Sequence, residues 1–271
     1  MLVKAVTFDL WLTLIWDEAD LEEYRKLRRL VNFHRFAKKF AKNSSGNSQK
    51  SFRFNDVRLA LEQVQVKVKA RYEQGFDVHP LERGKMLFDL LKIKIPRSEA
   101  ETVYEKAGSI LSNSGYYKKY PNVNPEAKPT LKALKETYPK VKVALISNAA
   151  RSSKTYLRML RSFGLDGFFD ELIISCEVGY LKPRREIFDT ALRSLSVRPK
   201  EALHVGDLFR ADIVGAVSIG MNAALYTGLW QKYAQYMNPG EHVPSGFAPN
   251  GVLVTEIERL QETVELIEQI G

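Results

Sequence analysis

Residues 2–9 read LVKAVTFD, a short apolar run that ends in a carboxylate. Valine, threonine and phenylalanine favour extended backbone, and the run alternates loosely before it breaks at the charged residue. We therefore expect a buried β-strand with Asp9 at its carboxyl-terminal end. In open sheets of parallel strands, ligands bind beyond that end, so Asp9 is the first candidate for a functional residue.

The second half of the chain alternates between extended and helical patterns. Strands are predicted at VKVALIS (141–147), ELIIS (171–175), ALHVG (202–206), NAALYT (222–227) and GVLVT (251–255), and helices near 126–137, 151–163, 184–194, 210–219 and 255–270. Strands that alternate with helices in this way form a parallel sheet with helices on both faces. We therefore predict an α/β fold with a doubly wound parallel sheet, in which Asp9, Ser147 and Asp207 gather at the same edge.

A helical segment separates the first strand from this alternation. Apolar residues recur at intervals near 3.6 from Leu21 to Phe36, and further helices are predicted near 55–74, 80–92 and 97–113. The polar stretch NSSGNSQKS at 43–51 is predicted to be a loop. We expect a core formed by residues 1–15 and 116–271, and a smaller, all-helical domain at 16–115.

The composition is that of an ordinary globular protein. Of the 271 residues, 45% are hydrophobic and 27% are charged, which excludes a disordered or fibrous chain. The single cysteine, Cys176, cannot form an internal disulfide, as expected in a reducing compartment. No apolar run approaches the roughly 20 residues that span a bilayer, so we expect a cytoplasmic protein without a membrane partner.

The net charge of +9 favours acidic partners. A small anionic substrate fits this charge, and nucleic acid is not excluded by it. Positive charge is concentrated in the basic segment, residues 21–42, which contains Arg25, Lys26, Arg28, Arg29, Arg35, Lys38, Lys39 and Lys42. We favour a solvated helix face for this segment. The sequence leaves the oligomeric state open.

Four separated motifs carry the functional signal. They are FDLWLTL (8–14), ISN (146–148), GYLKP (179–183) and HVGDLFRAD (204–212). Their order and spacing resemble the four signature motifs of the haloacid dehalogenase superfamily, and the resemblance spans the whole chain. It implies a Rossmann-like core, with residues 16–115 as a helical cap inserted after the first motif and closing over the site.

The resemblance assigns the chemistry to Asp9, which it implies to be a nucleophile that forms an aspartyl-phosphate intermediate. A carboxylate that attacks a phosphate meets like-charge repulsion, so the site needs cations and hydrogen-bond donors. Magnesium is the implied cofactor, since it prefers carboxylate oxygens and needs few protein ligands. The implied ligands are Asp9, Asp207 and the backbone carbonyl of Trp11. Asp212 would belong to the same centre, where it orients a metal-bound water or holds Lys182.

The resemblance gives the remaining site residues supporting roles. Ser147 and the amides that begin the next helix would bind the phosphoryl group, and Asn148 would assist there or contact the substrate. Lys182 would place an ammonium against Asp9 and the phosphoryl oxygens, and Thr13 is a candidate hydroxyl partner. Each residue alone has an ordinary alternative, such as a helix cap or a surface lysine. We prefer the functional interpretation because the four motifs occur together.

One position departs from the family's pattern. Phosphatases of this family usually have a second Asp two residues after the nucleophile, where it protonates the leaving group, and here that residue is Trp11. The dehalogenases have an aromatic residue there, but the pair Asp207 and Asp212 resembles the metal-binding phosphatase form. Asp17, Glu18 or Asp20 could supply the missing acid, although simple packing of Trp11 beneath the cap is the interpretation that we favour.

Three functions therefore remain open. The first is a magnesium-dependent phosphatase of a small phosphorylated metabolite, which we favour. The second is a hydrolase of carbon–halogen bonds, which is disfavoured because Asp207 and Asp212 would repel an anionic haloacid without a cation. The third is a weakly active relative that binds a partner.

Overall fold

A computed structural model describes residues 2–16, 22–41, 53–112, 121–229, 246–247 and 251–270. The strands are β1 (Ala5–Phe8), β2 (Ile15–Trp16), β3 (Asn122–Val123), β4 (Lys142–Ser147), β5 (Glu171–Ile174), β6 (Ala202–Gly206), β7 (Asn222–Tyr226), β8 (Gly246–Phe247) and β9 (Leu253–Ile257). The helices are α1 (Glu22–Ala41), α2 (Phe54–Glu73), α3 (Pro80–Leu90), α4 (Ala100–Ser112), α5 (Ala127–Thr137), α6 (Ser153–Ser162), α7 (Ser175–Val178), α8 (Arg185–Leu195), α9 (Gly215–Ser218) and α10 (Glu262–Ile270). Short 3₁₀ turns occupy Asp166–Phe168 and Pro199–Glu201.

The main sheet confirms the predicted α/β class. Its strand order is β5-β4-β1-β6-β7-β9-β8, and every neighbouring pair is parallel except β8 with β9. Strand β1 lies between β4 and β6, where all four of its residues are buried. The carboxyl ends of β1, β4 and β6 therefore meet at one edge of the sheet, which is where the first, second and fourth motifs lie.

One face of the sheet packs against α8. Side chains spaced along that helix enter the core, namely Ile187, Phe188, Ala191, Leu192 and Leu195. They meet Ala5 and Ala202 at the starts of β1 and β6. Because alternate residues of a strand share a face, Thr7 and His204 lie on this same side of the sheet. Consistent with this, the rings of Phe188 and His204 are in edge contact, with centroids 5.3 Å apart.

By its internal contacts the chain divides into two compact units. The first contains Met1–Asp17, Pro121–Asn148 and Ser153–Gly271, and the second contains Glu18–Tyr120 with Ala149–Ser152. From the sequence we expected the core to contain residues 1–15 and 116–271, and the helical domain to contain residues 16–115. The role of the helical unit as a cap stays a prediction.

The helical unit has its own aromatic core. Phe88 on α3 lies at its centre, with ring centroids 5.7–6.2 Å from those of Phe33, Phe36, Phe40 and Tyr104. The contacts with Phe33, Phe36 and Phe40 are edge-to-face, a geometry that stabilises a core beyond the area that it buries. None of the described helices is long and apolar enough to cross a membrane.

Two predicted helices differ from the observed backbone. The last helix begins at Glu262, because Ile257 belongs to β9 and pairs with Tyr226. Ile257 and Leu260 are buried as expected, but the prediction that they lie on the helix was wrong. The helix predicted at 210–219 begins as a π-helical turn, Phe209–Val214, before α9. Such wide turns occur frequently at functional sites.

Part of the basic segment can be placed. Arg35, Lys38 and Lys39 on α1 are exposed, in agreement with a solvated face. The side chains of Arg25, Lys26 and Arg28, and the whole of Lys42, lie outside the described residues. So do the predicted loop at 43–51 and the carboxylates at 17, 18 and 20.

Candidate active site

Asp9 lies directly beyond β1, and its backbone N–H donates a hydrogen bond to Val205 of β6 at 2.8 Å. Its side chain is almost completely buried, with 9% exposed. The chain then turns sharply, because the amides of Leu14 and Ile15 both donate to the carbonyl of Leu10, and Leu12 has a positive φ of 59°. Asp9 is therefore set on a rigid strand end rather than on a loose loop.

Lys182 occupies the position expected from the third motif. Its Nζ donates to Oδ1 of Asp9 at 2.6 Å, to Oδ1 of Asp212 at 2.5 Å and to the carbonyl of Ile146 at 2.9 Å. An ammonium has three protons, so these three acceptors use all of them. Burial opposes its charge, but the carboxylates of Asp212 and Asp9 raise the pKa of Lys182 above its usual value. The side chain is a charged, fully coordinated ammonium.

Asn148 holds the backbone of Lys182. The amide nitrogen of its side chain donates to the Lys182 carbonyl at 3.0 Å, and its side-chain oxygen accepts from the Lys182 N–H at 2.7 Å. The sequence placed Asn148 with the phosphoryl-binding residues or against the substrate. The structure instead shows both polar atoms of this side chain engaged with the third motif, so that Asn148 fixes where the lysine leaves the backbone.

Asp212 has both carboxylate oxygens engaged. Oδ1 accepts from Lys182 and lies 3.0 Å from Nε2 of His204, and Oδ2 accepts from the backbone N–H of Leu208 at 2.9 Å. Burial opposes ionisation, but the Lys182 charge and the His204 contact hold the pKa of Asp212 below its usual value. Of the two roles expected for Asp212, the structure shows the one that holds Lys182. Its role as a metal ligand stays a prediction.

Asp207 is a buried carboxylate that forms no ion pair within the described part of the chain. Burial, together with the charges of Asp9 and Asp212, raises its pKa well above the usual value. Burial also raises the pKa of Asp9 to about 6, against the opposing effect of Lys182. Among the described residues, the Lys182 ammonium contacts Asp9 and Asp212, and its charge also acts on Asp207. Such a cluster favours a hard divalent cation, because a bound cation stabilises the ionised form of each oxygen ligand.

The donor set fits magnesium rather than a many-ligand metal site. Among the described residues, no group of three or more His, Cys, Asp or Glu side chains is arranged to hold a metal. Asp9, Asp207 and the backbone carbonyl of Trp11 stay the predicted ligands, and within the described ranges no hydrogen bond is directed to that carbonyl. Magnesium keeps several waters and needs few protein ligands, so this small set is sufficient.

Two predicted site hydroxyls are buried without a partner. The side-chain oxygens of Thr13 and Ser147 make no hydrogen bond in the described part of the chain. A buried hydroxyl without a partner is unfavourable, which suits a site that a polar ligand completes. Thr13 is held from behind, because its carbonyl accepts from the side-chain amide of Asn124 at 2.8 Å. That amide also contacts the Tyr226 hydroxyl at 2.9 Å.

Sequence reasoning missed His204. This residue is fully buried in β6, and its ring links Asp212 to Thr7, whose Oγ1 lies 2.8 Å from Nδ1. Burial is the main cause that lowers the pKa of His204, which favours the neutral ring. The signal was present in the sequence, because a histidine interrupts the otherwise apolar strand ALHVG two residues before the fourth motif's glycine.

Helices flanking a parallel sheet, and a buried carboxylate beyond its central strand, place the protein among the doubly wound α/β proteins, whose sites lie at the carboxyl ends of the strands. Within that class the chain belongs to the haloacid dehalogenase-like hydrolase family, whose pattern matches residues 3–220. This confirms the resemblance that the four motifs suggested. A 2-haloacid dehalogenase from Pseudomonas syringae pv. tomato superposes with a TM-score of 0.60 at 21% identity, over 99% of this chain and 100% of that one. At this identity the likeness shows the fold alone.

Two curated relatives carry the names of phosphatases. The glyceraldehyde 3-phosphate phosphatase of Methanothermobacter thermautotrophicus is 32% identical over 126 residues, 46% of this chain and 51% of the relative. The ribulose-1,5-bisphosphate 5-phosphatase of Halopiger xanaduensis is 35% identical over 102 residues, 38% of this chain and 41% of the relative. The chain thus matches about half or less of the length of these relatives.

Proposed function

We propose that the protein is a magnesium-dependent phosphatase that acts on a small phosphorylated metabolite through an aspartyl-phosphate at Asp9. The observation that carries this proposal is the contact of Asp9 with Lys182, 2.6 Å long, beside the buried carboxylate of Asp207, which forms no ion pair among the described residues. A site of this kind orients the carboxylate of Asp9 and favours the binding of a further cation. An anionic substrate needs both an oriented nucleophile and a cation that offsets the negative charge. The names of the two phosphatase relatives support the same reaction class.

Asp9 performs the bond-making step of this reaction. One of its oxygens attacks phosphorus, the bond from phosphorus to the ester oxygen breaks, and the departing alkoxide takes up a proton. Water then attacks the same phosphorus, the bond to Asp9 breaks, and inorganic phosphate leaves with one proton released to solvent. The carboxylate is thereby restored, so the reaction splits one difficult hydrolysis into two transfers.

Lys182 orients the nucleophile. It fixes Oδ1 of Asp9, and all three of its protons are already engaged in this geometry. A phosphoryl oxygen would have to displace one of these acceptors. We therefore propose that the main role of Lys182 is to hold Asp9 in an attacking position. Holding reacting groups in near-contact geometry can supply a large part of an enzyme's rate enhancement.

Asp9, Asp207 and the Trp11 carbonyl would hold the magnesium ion. When bound, the ion would offset the negative charge shared by the carboxylates and the phosphoryl oxygens. Asp212 would stay in place as the partner of Lys182. The hydroxyls of Ser147 and Thr13 make no hydrogen bond in the described part of the chain. They would form hydrogen bonds to the phosphoryl group when a substrate is bound.

The substrate is proposed to be a small sugar or triose phosphate. Both phosphatase relatives are named for such compounds. The chain's net charge of +9 is compatible with a small anion. The helical unit would serve as the cap that closes over this substrate and excludes water.

The test is phosphate release from a panel of compounds, with magnesium and with excess chelator. The panel contains glyceraldehyde 3-phosphate, ribulose 1,5-bisphosphate, p-nitrophenyl phosphate and 2-chloropropionate. We expect phosphate release that requires magnesium and falls at least about 1,000-fold in Asp9→Asn, since an amide of nearly the same shape cannot attack phosphorus. Asp170→Asn, which changes a surface carboxylate paired with Lys135, is the matched control and should retain full activity.

Each alternative outcome has a clear meaning. Phosphate release by Asp9→Asn at the wild-type rate would reject Asp9 as the nucleophile. Halide release from 2-chloropropionate in excess chelator would establish the dehalogenase reaction instead. A folded wild-type protein that releases neither product from any compound would support a binding role.

A further inference from the structure

A chain of buried side chains lies behind the Lys182 ammonium, on the α8 side of the sheet. Thr7 and His204 are register partners on the adjacent strands β1 and β6, and both are fully buried. Thr7 Oγ1 lies 2.8 Å from Nδ1 of His204, and Nε2 lies 3.0 Å from Oδ1 of Asp212. The chain therefore runs from Thr7 through His204 and Asp212 to Lys182.

The hydrogen-bond inventory fixes the direction of this chain. The Asp212 carboxylate accepts hydrogen bonds only, so Nε2 of His204 must carry the proton between them. The neutral ring then has Nδ1 as an acceptor, and the Thr7 hydroxyl donates to it. The other acceptor near that hydroxyl, the carbonyl of Leu203, is farther away at 3.4 Å. Thr7 thus favours the one tautomer that donates to Asp212.

Asp212 depends on this donor for its orientation. Oδ1 is shared by His204 and Lys182, whereas among the described residues Oδ2 accepts from the Leu208 N–H alone. Without the histidine, Oδ1 would keep Lys182 as its donor and Oδ2 would keep the Leu208 N–H. The carboxylate would then be held by one donor at each oxygen, so its orientation, and with it the position of Lys182, would be less firmly fixed.

We propose that Thr7 and His204 are positioning residues, which hold Asp212 and thereby Lys182 in the geometry that orients Asp9. Neither touches the substrate. This inference rests on the proposed function, because the geometry it protects is that of the nucleophile. It assigns a role to Thr7, which precedes the first motif, and to His204, the first residue of the fourth motif, neither of which received a role from the sequence.

The test compares substitutions at His204. His204→Leu replaces the N–H donor with an apolar side chain of moderate size. It should lower kcat about 10- to 100-fold with KM nearly unchanged, as the loss of a supporting hydrogen-bond partner does in other sites. His204→Gln returns an N–H donor at similar reach and should recover most of the lost kcat. Thr7→Val removes only the hydroxyl and should cause a smaller loss than His204→Leu.

The matched control is Asn222→Leu, at the start of the neighbouring strand β7, where Asn222 pairs with Leu203. The Asn222 side chain is buried and hydrogen bonded to the carbonyls of Lys200 and Ala202, both at 3.1 Å. Its replacement should lower the thermal midpoint without lowering kcat per folded molecule. Equal kcat losses in Asn222→Leu and His204→Leu, or no recovery in His204→Gln, would overturn the inference.

A second measurement does not depend on activity. The ¹⁵N–¹H signal of the Lys182 ammonium, identified by its absence in Lys182→Arg, should be protected from solvent exchange because all three protons are hydrogen bonded. Protection should persist in His204→Gln and Asn222→Leu and be lost in His204→Leu. Unchanged protection in His204→Leu would overturn the inference. A wild-type protein without phosphatase activity would instead reject the proposed function. In that case, protection of the Lys182 ammonium in the variants would still test whether Thr7 and His204 position Lys182.

Discussion

Nζ of Lys182 lies 2.6 Å from Oδ1 of Asp9, although 173 positions separate the two residues in the chain. The same ammonium contacts Asp212 at 2.5 Å, while Asp207 is buried nearby and forms no ion pair in the part of the chain that the structure describes. The charge of Lys182 thus acts on three carboxylates, in an interior where charges are costly. Stability and metal binding should both respond when any member of this cluster is changed.

Replacing Lys182 should be far more destabilising than breaking a surface ion pair. Lys182→Met leaves Asp9 and Asp212 without their cation, and should lower the free energy of unfolding by about 3–5 kcal/mol, as found when one partner of a buried pair is removed. Lys135→Met breaks the partly exposed pair with Asp170, 2.8 Å long, and should cost less than about 1 kcal/mol. Chemical denaturation measures both. Equal losses would mean that the interior charges are already relieved in another way.

Magnesium should stabilise the wild-type protein through Asp207. At 100 times its Kd the ion would add about 2.7 kcal/mol to the free energy of unfolding. Asp207→Asn should abolish this gain, yet be as stable as wild type or more so in chelator, because a buried like charge is removed. Thermal unfolding with and without magnesium measures this crossed pattern, with Asp170→Asn as the control. An undiminished magnesium effect in Asp207→Asn would remove this residue from the metal site.

Gly206 should tolerate no side chain. A Cβ atom placed there would lie 2.3 Å from Cγ of Asp212, so Gly206→Ala must displace the carboxylate that holds Lys182. We expect at least about a 10-fold loss of kcat, in line with the effect of misplaced catalytic groups. Gly167→Ala is the matched control, because a Cβ there has no neighbour within 4 Å. Normal activity in Gly206→Ala would show that the exact placement of Asp212 is unimportant.

Trp11 should determine which leaving groups are accepted. Because this position holds tryptophan and not a carboxylic acid, alkyl phosphates should react slowly relative to aryl phosphates. An alkoxide leaving group needs general acid catalysis, which typically contributes 10² to 10⁴ in rate. Trp11→Asp keeps the backbone carbonyl and adds an acid, so the ratio of alkyl to aryl turnover should rise. The ratio cancels differences in folded fraction. An unchanged ratio in a folded variant that binds magnesium would show that another group donates the proton.

The order of strands and helices was readable from the sequence because apolar periodicity and strand-end polar residues are local properties. The errors fall where tertiary contacts override the local pattern. Ile257 and Leu260 are spaced as on one face of a helix. Ile257 is nevertheless extended, because β9 pairs with β7 as far as this residue. The π-helical turn at Phe209–Val214 has no signature in a helical pattern, since the spacing of apolar residues is nearly the same.

The sequence by itself determined the family, the sheet edge that holds the site, and the candidates Asp9, Lys182 and Asp207, because parallel strands bring their carboxyl ends together whatever the loops between them. Only the tertiary structure decided how atoms pair. It directs both polar atoms of Asn148 to the Lys182 backbone and joins Thr7 to His204 across two strands. Hydrogen bonds depend on strand register, side-chain rotamers and tautomers, and these are set by packing between residues that lie far apart in the chain.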